Sequence, residues 1–148
     1  MSPGAEFLPP GTPGRLTRLL VQAAGDRALV FVQNPVRLSR TSEPQPDFAV
    51  LKPRADDYQS ATPGPEDVFL LVEIAETSLK FDRELKAPLS AAHGIPELWV
   101  VDVSEKALWL HRDPRPDGYA RVEKTTQPAP TRLAAAPEIE VDLGGLFA

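Results

Sequence analysis

Three residues have types and positions that could do chemistry together. Asp47 follows Pro46 at the start of an apolar segment, Glu73 lies near the end of the run VFLLVEIA, and Lys86 falls on the helical pattern that comes next. Two carboxylates on neighbouring strands can hold a divalent metal ion, which polarises a phosphoryl oxygen and lowers the pKa of a bound water. A nearby ammonium can position that water or stabilise charge in the transition state. The chemistry such a set would serve is hydrolysis of a phosphate ester.

Each residue alone also has an ordinary structural reading. A carboxylate within VFLLVEIA is expected to be mostly buried, where an unpaired charge is very costly. A metal or Lys86 would compensate it, and so would an ion pair inside the sheet or a strand end that reaches water. Pro46-Asp47 also fits plain turn chemistry, and Lys86, four residues after Asp82, also fits a solvated helix pair. His93, before Gly94, suits a helix C-terminal cap, and His111, on an alternating segment, reads as a surface residue. Trp99 and Trp109 read as core or interface anchors, and Asp102 as the cap of the turn after its strand. Glu76 and Asp82 are close enough in sequence to partner Lys86. Arg83 reads as an exposed helix arginine that could reach a phosphate.

Composition narrows the chemistry. The chain has 148 residues, enough for one domain with a real core, and contains no cysteine and only two histidines. Thiolate metal sites are therefore excluded, two histidines count against a multi-histidine site, and oxygen ligands favour a hard ion such as magnesium or manganese. The formal net charge is −5, which counts against tight nonspecific binding of duplex DNA through its phosphates. No run of about 18 apolar residues suggests a transmembrane helix. The N-terminus MSPGAEFLPPGTPG lacks the pattern of a signal peptide, so a cytoplasmic location and no membrane partner are expected.

The elements that would position these residues follow from periodicity and from 17 prolines that punctuate the chain. A helix is expected over Arg15–Ala24, then strand character over Ala28–Leu38 with a break near Asn34–Pro35. Ser39–Gln45 reads as a turn, Asp47–Leu51 as a short strand, and Lys52–Asp67 as a surface loop. Val68–Ala75 reads as a strand covered on both faces. Thr77 or Ser78 can cap a helix over Leu79–Ala92, with Phe81, Leu85, Leu89 and Ala92 on one face and Asp82, Lys86 and Ser90 on a polar row. Pro88 is expected to kink or break it. Strands follow at Leu98–Val103, Ala107–Arg112 and, at the edge, Tyr119–Lys124, and Ile139–Phe147 is expected to dock on the core. The expected organisation is a Pro/Gly-rich segment, residues 1–14, and one α/β domain, residues 15–148.

Taken together, PDFAV, VFLLVEIAETSLKFDRELKAPL and HGIPELWVVDV resemble the Uma-two family, assigned to restriction endonucleases within the larger PD-(D/E)XK nuclease group. The resemblance implies a restriction-endonuclease-like mixed sheet of about four to six strands flanked by helices. It implies that Asp47 and Glu73, with the main-chain carbonyl of Ile74, bind magnesium or manganese, and that the reaction is hydrolysis of DNA phosphodiester bonds. The family's usual lysine position, two residues after the glutamate, is Ala75 here. A related arrangement carries the lysine on the following helix, where Lys86 stands. Ser90 occupies a place where the family pattern generally has tyrosine. The resemblance begins at about Arg15, as in a shortened member, for which a homodimer is expected. A non-catalytic, degenerate nuclease fold acting as an oligomeric interaction module is the alternative. A metal-dependent phosphoesterase with a small substrate is a third reading, which no phosphate-cradling glycine motif supports.

Overall fold

The computed structural model describes the backbone of residues 11–75 and 79–148 and, of these, the side chains outside 79–85. Helix α1 (Thr12–Ala24) leads to β1 (Leu29–Val32), β2 (Phe48–Leu51) and, after a 3-10 turn at Pro65–Asp67, β3 (Val68–Ala75). Helix α2 (Leu79–Ala92) precedes β4 (Glu97–Asp102), β5 (Ala107–Arg115) and β6 (Gly118–Thr125), and the short strands β7 (Thr131–Arg132) and β8 (Glu140–Val141) close the chain.

Strands β1 to β6 form one sheet in sequence order, antiparallel throughout except for the parallel pair β3–β4. A parallel pair needs a crossover, and α2 supplies it. The continuous apolar run of β3 has its reason here, since both sheet faces are covered. On one face Val50, Leu70, Val72, Trp99 and Val101 share a core with Leu16 and Leu20 of α1 and with Ile139, Val141, Leu143 and Leu146 of the C-terminal segment. On the other, Leu51, Leu71, Leu98 and Val100 share a core with Ala87 of α2 and with Val36, Leu38 and Tyr58 from the connections. Docking of the C-terminal segment is thus as its apolar pattern suggested.

Several expectations need correction. Helix α1 starts at Thr12, ahead of Arg15, because Pro13 is at home in a first turn whose N–H groups have no helical partner. The strand expected over Ala28–Leu38 ends at Val32, where Gln33 turns into the left-handed region at φ 52°. Val36 and Leu38 are nevertheless buried, as irregular backbone whose amides bond to Pro44 and Ser42 carbonyls. Helix α2 runs unbroken through the exposed Pro88 to Ala92. Among its described side chains Ala87, Ser90 and Ala91 are buried, whereas Leu89 and Ala92 are exposed. Small side chains let the helix approach the sheet closely, which turns Leu89 to the margin of the contact. Phe81, Asp82 and Leu85 of the expected rows have side chains outside the described set, and the capping candidates Thr77 and Ser78 lie outside the described residues.

His111 is buried rather than on the surface, because β6 pairs outside β5 and brings Tyr119 against it. The two rings meet edge to face at 5.6 Å, and the His111 Nδ1 lies 3.2 Å from the Leu98 carbonyl. Trp99 is a fully buried core anchor, as expected. Asp102 does cap the turn after β4, accepting the Ser104 hydroxyl and the Glu105 amide.

The fully buried Glu97 fastens three parts of the chain. Its carboxylate accepts the Trp99 indole N–H at 2.7 Å, the Arg112 Nε–H at 2.9 Å and the Ala134 amide at 2.8 Å. These bonds tie β4 to β5 and to the C-terminal segment. Removing one partner of such a buried set strands the others without water, at a cost of about 3–5 kcal/mol. Glu97→Ala is therefore expected to lower the urea unfolding free energy by about that amount. An unfolding midpoint equal to the parent's would show that the cluster contributes nothing.

Candidate functional site

The register of β2 on β3 assembles the site. Phe48 faces Val72 and Ala49 faces Leu71, so one step further Asp47 comes opposite Glu73. Alternation along each strand puts both side chains on the face that α2 covers, with Ala49 and Leu71. The contacts agree: the Asp47 amide donates to Glu73 Oε1 at 3.3 Å, and the Ile74 amide donates to Asp47 Oδ2 at 2.7 Å. From α2, Lys86 Nζ donates to Glu73 Oε2 at 2.8 Å. The Glu73 side chain is 18% exposed, as a carboxylate in that run should be, while that of Lys86 is 55% exposed.

These residues line a cleft of about 260 Å³ with Gln45, Ile74 and Ala75 on its walls and Leu98 and Val100 at its base. All four residues singled out from the sequence, Asp47, Glu73, Ile74 and Lys86, are thereby brought together. Ala75 shares the strand face of Glu73, so the ammonium reaches the cleft from the helix and not from the strand. His93 and His111 are not part of the cleft lining. His93 instead sits at the end of α2 with Nδ1 2.9 Å from the Leu89 carbonyl, as a capping residue would. Glu76 lies outside the described residues, and the side chains of Asp82 and Arg83 are outside the described set.

Two residues escaped the sequence reading. The Gln33 amide donates to the Asp47 carbonyl at 3.0 Å, and the Gln45 side-chain amide donates to the Gln33 carbonyl. Gln33 has left-handed backbone without being glycine, a conformation that surrounding bonds must hold. Gln45 and Asp47 hold it from either side. Nothing in the sequence marks these two glutamines, since one bond joins main chain to main chain and the other a side chain to main chain, both across the β1–β2 connection.

Burial pushes the Glu73 carboxyl above its ordinary value of 4.5; the Lys86 ammonium opposes this and the neighbouring Asp47 carboxylate adds to it. A divalent cation would relieve both the burial and the mutual repulsion. The donor set fits a hard ion, for it consists of oxygens, and magnesium is commonly held by one or two carboxylates with water completing its shell. Among the described residues no group of three or more His, Cys, Asp or Glu side chains comes together, so the pair is the whole of the acidic set there.

A mixed sheet with its one parallel pair bridged by a helix, and two carboxylates facing that helix, has the architecture of the restriction-endonuclease-like class. Residues 1–144 match the model of the Uma2 family, described as "Putative restriction endonuclease", and the chain belongs to that family. The fold is similar to the crystal structure of a putative nuclease belonging to DUF820 from Anabaena variabilis. The TM-score is 0.67, with 17% sequence identity, over 90% of this chain and 76% of that one. No curated protein matches the sequence.

The raised Glu73 pKa has a definite consequence for the metal-free protein. Between 4.5 and the raised value, native Glu73 keeps a proton that the unfolded chain has released. Stability therefore falls as pH rises through that interval and is level above it. Glu73→Gln is expected to abolish this step in unfolding free energy measured against pH in chelated buffer. A parent and variant with parallel profiles would show that Glu73 is not held in the proton-retaining environment described.

Proposed function

We propose that this chain is a divalent-metal-dependent endonuclease that hydrolyses DNA phosphodiester bonds. The observation that carries the reading is that Asp47 lies beside Glu73, its amide 3.3 Å from Glu73 Oε1, with Lys86 Nζ 2.8 Å from Glu73 Oε2. Membership of the Uma2 family supports it. Asp47 and Glu73, with the Ile74 carbonyl, would hold magnesium or manganese. Such an ion, when bound, supplies Lewis-acid polarisation of a phosphoryl oxygen and a more acidic water. Glu73 holds the Lys86 ammonium at the cleft wall, where it offsets the negative charge that builds on phosphate oxygens during in-line attack. The Gln33 and Gln45 bonds keep the Asp47 main chain in place, so that its carboxylate meets the Ile74 amide.

A second reading is a catalytically silent member of the family that acts as an oligomeric interaction module. The net charge of −5 and the alanine at position 75 favour it. Calorimetry with manganese and a DNA-cleavage assay separate the two. The endonuclease reading expects saturable manganese binding by the parent, lost in Asp47→Ala and Glu73→Ala. It expects Lys86→Ala to bind manganese yet cleave about a hundredfold to a thousandfold more slowly, the usual loss on removing one transition-state donor. Unchanged manganese binding in Glu73→Ala, or no cleavage by the well-folded parent protein, would overturn it.

A further inference from the structure

Beside the carboxylate cleft runs a second, apolar groove of about 190 Å³ that the proposed chemistry does not use. Its walls are Leu38, Pro46, Leu71, Leu89 and Leu98, and at one end it shares Gln45, Glu73 and Lys86 with the cleft. Among the described residues, the Ser90 hydroxyl and the Gln45 amide are uncharged polar groups on its lining. We propose that this groove receives one unpaired nucleobase next to the phosphodiester to be cut, so that the substrate is DNA containing unpaired nucleotides. The proposal rests on the endonuclease reading for its phosphate, and on the groove for its base.

Three observations favour a base over other occupants. An apolar cavity of about 150 Å³ is enough to take a benzene ring, so this groove has room for one six-membered ring with its substituents but not for a base pair. Its polar residues Glu73 and Lys86 also line the cleft that holds Asp47, so a nucleotide whose base enters the groove leaves its phosphate at the cleft. Gln45 and Ser90 can meet the polar edge of such a base, which an aliphatic occupant would leave unused.

The test is fluorescence anisotropy in calcium, with a labelled oligothymidylate and an abasic strand of equal length. The oligothymidylate is expected to bind about tenfold to a hundredfold more tightly, the range that one base contact provides. Leu89→Ser, at a position 40% exposed and so tolerant of change, is expected to remove the difference while leaving the circular dichroism spectrum unaltered. Equal affinities for the two strands, no binding of either, or a preference that persists in Leu89→Ser would overturn the proposal. The same preference without cleavage in manganese would remove the endonuclease reading and leave the base site standing. Cleavage of duplex, abasic and thymidine strands at equal rates would do the reverse.

Discussion

The pairing of β2 with β3 carries more of this molecule's possible chemistry than any single side chain. Side chains alternate with a period of two, so a slip of one residue in either strand would send Asp47 and Glu73 to opposite faces. The observed register places them opposite each other, one step beyond the Phe48–Val72 pair. The same register lets Ala49 and Leu71 take part in the core under α2, so apolar packing itself enforces the acidic pair. The parallel partner β4 then requires a crossover helix, and that helix brings Lys86 to Glu73.

Glu73 and Glu97 show how one sheet treats buried carboxylates in two ways. Glu97 is enclosed on the α1 side, and an indole, a guanidinium and a main-chain amide occupy its oxygens. It is wholly committed to holding β4, β5 and the C-terminal segment together. Glu73 faces the other side with one amide and one ammonium, beside a second carboxylate and an open cleft. Its burial is incompletely compensated, which is the condition under which a carboxyl holds its proton or accepts a cation. Both are single acids in apolar strands, and the number and kind of donors around them sets them apart.

The packing of α2 links the core to the cleft. Ala87, Ser90 and Ala91 meet the sheet, and their small size permits close approach. Close approach lets Lys86 span to Glu73 from the helix surface and leaves Leu89 at the rim of the apolar groove.

The sequence by itself determined the elements whose patterns are local. The run VFLLVEIA announced β3 residue for residue, the Leu79–Ala92 pattern announced the crossover helix, and PDFAV with VFLLVEIA and Lys86 pointed to the acidic pair and its ammonium. The absence of cysteine and the presence of only two histidines favoured oxygen ligands for any metal. Tertiary structure alone decided the rest, because it depends on which face meets which neighbour. Helical periodicity offered Leu89 as a core residue, and packing chose Ala87 and Ala91. Alternation offered His111 to the surface, and the addition of β6 buried it. Gln33 and Gln45 had no signal at all, since the Gln33 amide bonds to the Asp47 carbonyl and the Gln45 side chain to the Gln33 carbonyl, both across a connection. The partners that enclose Glu97 and leave Glu73 beside an open cleft come from distant segments, and no local pattern records a long-range donor.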